Sequence, residues 1–194
     1  MAGFPLTALV LALACPLACA AETIDFEGIA AGTAITTIGN ATFSSPDGVI
    51  VYDFGGDFAH SGVNVIGGGA PDFFSAPITV DFATAVMDLS FFSAGDDNAG
   101  LQAQINVWVG GAFAALVNLA GDGNPFTVDF QDLSAFSNVT RIEIFNVTDD
   151  QGLAYDDFSF TKVASVPLPA TALLLGAALL GLGRTGRRKT RQHS

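Results

Sequence analysis

Apolar and polar residues alternate along much of the stretch from 22 to 163. Leu101, Ala103, Ile105, Val107 and Val109 take one parity, and Gln102, Gln104, Asn106 and Trp108 take the other. Ile142 and Ile144 interleave with Arg141 and Glu143 in the same way. Successive side chains of an extended strand point to opposite faces, so a period of two predicts strands with one face in a core and one in water. Strand signals fall at residues 23–27, 41–44, 49–54, 78–82, 86–93, 101–109, 113–119, 126–130, 139–147 and 155–163, with Gly, Asp, Asn and Pro between them. This spacing, with no convincing helix among the runs, predicts an all-β domain built as an antiparallel β-sandwich. No unit of 20 to 50 residues recurs, which argues against a solenoid or propeller. Sixteen of the 17 Phe lie in this region and supply the bulk of the core.

The alternation stops at both ends. Residues 4–17 are an apolar run, followed by the small-x-small site Ala18-Cys19-Ala20. This pattern predicts a cleaved secretory signal peptide over 1–20, although no Lys or Arg precedes the run. Near the other end, Val166-Pro167-Leu168-Pro169-Ala170 leads into an uncharged stretch that reaches Gly183, and Arg184, Arg187, Arg188, Lys189 and Arg191 follow. Eighteen helical residues would extend about 27 Å, close to the roughly 30 Å of a bilayer core. The expected order is a signal peptide, an exported domain over 22–163, a linker with a motif over 164–170, a transmembrane helix over 171–183 and a basic cytoplasmic tail over 184–194.

Charge sharpens this division. All 19 acidic residues lie between Glu22 and Asp157, where the only basic residue is Arg141; Lys162 follows shortly after. The exported domain therefore carries a net −17, although the whole chain is −12. Such a surface repels phosphate backbones and excludes nucleic acid as a partner, whereas calcium or a cationic partner suits it. Both cysteines, Cys15 and Cys19, precede the domain, which rules out a disulfide scaffold, a thiolate metal site and a Cys nucleophile within it.

A Val-Pro-Leu-Pro-Ala motif, a short Leu/Ala/Gly helix and a terminal Arg cluster, in that order, resemble the C-terminal sorting signal of PEP-CTERM proteins in its VPLPA variant. The resemblance implies that Val166, Pro167, Leu168, Pro169 and Ala170 are the processing site of an exosortase-like membrane enzyme, which passes the protein on to the cell envelope or extracellular matrix. Two prolines keep the segment extended, as a protease requires. Within the domain, Ile24-Asp25-Phe26-Glu27-Gly28 and Leu153-Ala154-Tyr155-Asp156-Asp157-Phe158-Ser159-Phe160 resemble the first and last strands of jelly-roll modules of the galactose-binding-like and carbohydrate-binding type. That resemblance implies a structural calcium held by Glu27 with Asp156 or Asp157.

Other chemistry is sparse. Asp53 and Asp57, Asp96-Asp97-Asn98, Asp149-Asp150 and Asp156-Asp157 offer the oxygens that calcium takes, but none forms an EF-hand loop. Gly67-Gly68-Gly69-Ala70-Pro71-Asp72 occurs once and departs from the calcium-binding nonapeptide at Ala70. Trp108 with Gln102, Gln104 and Asn106 combines an aromatic platform with amides that exchange hydrogen bonds with sugar hydroxyls, so extracellular polysaccharide is the candidate ligand. His60 has no His or Cys near it in sequence, and no Gly-x-Ser-x-Gly elbow, phosphate loop or zincin motif is present. A carboxylate pair for glycoside hydrolysis is the one catalytic option, and the domain is expected not to be an enzyme. The expected function is a structural or adhesive surface protein, with a calcium-stabilised carbohydrate-binding module as the alternative. Asn40, Asn138 and Asn146 begin Asn-x-Thr triplets.

Overall fold

A computed structural model describes residues 21–164, and residues 21–163 belong to one compact unit. The described chain is all-β and every strand pairing is antiparallel. Its strands are β1 (Ala21–Ile24), β2 (Ala34–Ile35), β3 (Thr37–Ile38), β4 (Ala41–Ser44), β5 (Val49–Asp53), β6 (Asn64–Gly68), β7 (Ile78–Ala94), β8 (Ala99–Val109), β9 (Ala112–Asp122), β10 (Val128–Asp132), β11 (Val139–Phe145) and β12 (Ala154–Lys162). A single 3₁₀ turn, Phe73–Ser75, interrupts them.

The two strands expected over 78–82 and 86–93 are one strand. Fully extended, 17 residues would run about 56 Å, longer than the ~37 Å diameter expected for a domain of this size. β7 therefore bends, and its burial pattern marks where. Ile78, Val80, Phe82 and Val86 are buried at even positions, whereas Leu89, Phe91 and Ser93 are buried at odd ones. The parity changes at Met87–Asp88, where Asp88 takes φ 53° and the register against β12 shifts. An extra residue in one strand of a pair turns the strand and reverses the faces that follow.

The bend lets β7 serve two layers. Its first half pairs with β4 and β11, giving the order β9-β8-β11-β7-β4-β3. Its second half pairs with β12 and β10, giving β2-β5-β6-β12-β7-β10, with β1 beside the end of β12. Between the layers, Phe158 meets Phe26 and Phe43 edge-on with centroids 6.2 and 5.4 Å away, and stacks on Phe91 at 5.0 Å. All four rings are buried. Edge-to-face pairs add to the area term of burial, so this quartet contributes strongly to the core between the layers.

Strand β6 escapes the alternation rule because all five of its residues are buried. Its glycines are required by neighbours: a Cβ on Gly67 would lie 2.3 Å from the Phe74 ring, and one on Gly68 would lie 2.3 Å from the Phe73 carbonyl. The Gly-rich stretch is thus partly a packed strand rather than a loop.

Candidate functional site

The outer face of β8, β9 and β11 carries Trp108. Registers of these strands set Trp108 opposite Phe113 and Arg141, Asn106 opposite Leu116 and Glu143, and Gln104 opposite Asn118. Trp108 and Phe113 meet edge-on at 6.0 Å, and the Arg141 guanidinium lies 5.8 Å from the Trp108 ring centroid. Arg141 grips Asp81 in a fork, Nε to Oδ1 at 2.6 Å and Nη2 to Oδ2 at 3.0 Å, and these bonds push its pKa up. Asp81, Phe82, Trp108, Gly111, Thr140 and Arg141 line a mostly polar groove of about 410 Å³. Along the same face the amides are hydrogen-bonded in two sets. Asn106 donates to Glu143 Oε2 at 2.9 Å, Gln104 donates to Asn118 Oδ1 at 3.3 Å, and Gln104 Oε1 accepts from Asn146 at 3.1 Å. Phe113 and Leu116 are more than half exposed.

Gln102 does not belong to this row. Leu101 pairs with Ala120 and Ala103 with Leu119, so Gln102 is the extra residue of a bulge. Its side chain is buried and Leu101 is exposed, the reverse of simple alternation. Gln104, Asn106 and Trp108 share the outer face as expected.

Glu27, Asp156 and Asp157 converge on one loop, residues 60–64. Asp157 takes φ 48° in a bulge, and this break in alternation turns both neighbouring acids toward the loop. Asp156 Oδ2 accepts the N–H of His60 at 2.9 Å and of Ser61 at 3.0 Å, and its Oδ1 accepts the N–H of Asp157. Asp157 accepts from the Ser61 hydroxyl at 2.9 Å and lies 2.6 Å from His60 Nδ1, while the imidazole stacks on Phe92. Glu27 Oε1 accepts from Val63 and Asn64. Burial pushes the Asp156 carboxyl up to about 6. Nearly every oxygen of the trio already has a protein donor, so the arrangement fits a loop latch better than a calcium cage. Ser61 donates its hydroxyl to the Asp157 carboxylate rather than to an imidazole, so Ser61 and His60 do not form a Ser–His pair.

Sequence patterning did not single out two further features. Phe54, Phe58, Phe74, Gly95, Pro125 and Gly152 help line an apolar cleft of about 260 Å³, and Phe126, next to Phe58, is 68% exposed. Its walls come from separate loops, so no local period announces it. The second is a carboxylate group in which Asp96, already a calcium candidate in sequence, gains partners from two other strands. Asp96 follows β7, Asp122 ends β9 and Asp129 sits in β10, and one ligand atom from each lies within 4.8 Å of the others, a set able to hold a metal ion. Burial and then the Asp96 charge push Asp129 up to about 6. Asp97, beside them, is raised by its hydrogen bond to Asp149.

Val166, Pro167, Leu168, Pro169 and Ala170 lie outside the described residues, as do the expected signal peptide, membrane helix and basic tail. Among the described residues no helix is long and apolar enough to cross a membrane. Asn40, the first glycosylation-type Asn, is buried with its amide bonded to the Thr84 backbone.

No protein-family model matches the chain, and no curated protein matches it. Among the solved structures that this chain resembles are the following two. The K2 cleaved adhesin domain of Lys-gingipain is 16% identical, with a TM-score of 0.49 over 73% of this chain and 99% of its own. TmCBM61 in complex with β-1,4-galactotriose is 17% identical, with a TM-score of 0.37 over 71% of this chain and 90% of its own. Both are β-sandwich domains.

Proposed function

We propose that this chain is an exported bacterial surface or matrix protein whose β-sandwich binds extracellular polysaccharide on the outer face of β8, β9 and β11. The observation that carries this reading is the Trp108–Phe113 pair at the edge of a polar groove closed by the Asp81–Arg141 fork. A sugar ring presents apolar C–H groups on its faces and hydroxyls at its rim. Trp108 matches the face, while Asp81, Arg141 and the amides of Gln104 and Asn106 match the rim. The strip is open and shallow, which suits a chain polymer gripped at several units rather than a single enclosed sugar. Binding here requires no catalytic group.

Trp108 is the sole tryptophan, so its fluorescence reports directly on this face. Titration with β-1,4-galactan, cello-oligosaccharides and chito-oligosaccharides should shift the emission for at least one class. Trp108→Ala should weaken that binding about 10- to 100-fold, the equivalent of losing one buried aromatic contact. Unchanged emission and unchanged pull-down across polysaccharides and matrix extracts would leave a structural scaffold that takes no glycan.

The delivery route is part of the same proposal. The Val-Pro-Leu-Pro-Ala sequence between the domain and the basic end supports processing by an exosortase-like enzyme, because its two prolines disfavour helix and leave a backbone that a protease can read. Replacing Pro167 and Pro169 with Ala should then leave an uncut, membrane-retained form, and an unchanged product size would overturn the sorting assignment.

A further inference from the structure

We propose that Asp96, Asp122 and Asp129 bind a hard divalent cation of the calcium class, which clips the end of the sandwich by joining strand β9 of one layer to β7 and β10 of the other.

The carboxylates crowd without a compensating charge. Asp96 is 1% exposed; its Oδ2 accepts the Gly123 N–H at 2.7 Å, and its Oδ1 is buried with no hydrogen-bond partner. A buried carboxylate oxygen left without a donor beside two other carboxylates is costly unless something positive meets it. No side chain of the domain is free to do so. Of the two basic residues among those described, Arg141 is committed to Asp81, and Lys162 lies 2.7 Å from Glu22. His60 is committed to Asp157.

The chain also holds Asp96 in place. A Cβ on Gly121 would lie 2.1 Å from Asp96 Oδ2, so glycine at that position in β9 is what admits the carboxylate. Gly123 then donates to it from the turn that leads to β10.

Donor chemistry narrows the ion. The group contains only carboxylate oxygens, and no Cys or His belongs to it, which disfavours zinc. One oxygen from each carboxylate lies within 4.8 Å of the others, close enough for a single hard, oxygen-seeking cation to touch all three. Asp122 is exposed, which leaves room for water to complete the shell. This site is separate from the loop held by Glu27, Asp156 and Asp157, and it does not depend on what the β8–β9–β11 face binds.

The test uses the full chain in mild detergent at pH 7.5, stripped with chelator and titrated with calcium chloride alone by calorimetry and thermal melting. Binding near one ion per chain is expected, with a midpoint rise on the order of 9 °C at about 100 times the dissociation constant, and no rise in sodium at matched ionic strength. Asp122→Asn and Asp129→Asn should each lose the calcium response, yet melt at or above the wild-type midpoint in chelator, because each relieves carboxylate repulsion. That pairing separates a lost ligand from a damaged fold. Absence of heat and of any shift up to 10 mM calcium would overturn the proposal. So would a response that survives the Asp122→Asn/Asp129→Asn double variant, or one abolished by Glu27→Gln alone.

Discussion

Asp156→Ala should loosen the loop that carries part of the apolar cleft, and the structure sets the size of the effect. The wild-type carboxylate is 1% exposed and accepts three backbone N–H groups, those of His60, Ser61 and Asp157. Alanine orphans all three. His60 is exposed and Ser61 half-buried, so water entering the vacated space can satisfy those two, whereas the bond to Asp157 is buried. One fully orphaned donor at about 1–3 kcal/mol plus two partly rescued ones, less the relief of removing a buried carboxylate beside Asp157, gives ~2.5 kcal/mol. For about 144 residues the unfolding entropy is roughly 0.3 kcal/mol/K, so the midpoint should fall by about 8 °C.

The pH dependence of Asp156→Asn adds a second reading of the same latch. The folded carboxyl is raised to about 6 from 3.8, so the folded state holds a proton more tightly than the unfolded chain. Its protonated form contributes stability that is fully present below about pH 3.8 and is lost as pH rises through about 6. Asparagine resembles the protonated form, so Asp156→Asn should compare better with wild type at pH 7.5 than at pH 4.5. Urea or thermal denaturation at both pH values measures this. A fall of less than 2 °C for the alanine variant, or its restoration by calcium, would refute the latch and return Asp156 to the role of a metal ligand.

Three further outcomes follow from the geometry. Phe158→Ala removes the ring shared by Phe26, Phe43 and Phe91 and should cost ~3–5 kcal/mol, a midpoint loss of about 10–17 °C by calorimetry or outright failure to fold. Gly121→Ala drives a methyl into Asp96 and should both lower the midpoint and abolish any calcium response, a combination that Asp122→Asn should not show. Arg141→Lys keeps the charge but loses the fork on Asp81; glycan affinity by fluorescence titration should fall while the midpoint moves by less than about 3 °C, because the pair is solvent-exposed.

Local pattern determined a great deal here. A period of two was enough to place the all-β class and nearly all the longer strands, because a strand half in a core and half in water must alternate, and strand β4 begins and ends where the pattern places it. The same rule put Gln104, Asn106 and Trp108 on one face, and composition alone separated a strongly acidic domain from its apolar and basic ends. It failed wherever the backbone takes an extra residue or both faces are covered. Gln102 turned inward at a bulge, the two halves of β7 became one bent strand, and β6 has no wet face from which a period could arise. Tertiary structure alone decided that Asp96, Asp122 and Asp129 meet, since they are dispersed over 34 positions of the chain and no spacing could group them; Glu27 was set beside Asp156 and Asp157 only by the resemblance of the first and last strands, not by any local pattern. Carboxylates on separate strands become neighbours only when the two sheets close on the Phe core, and that closure is a property of the whole domain rather than of any segment.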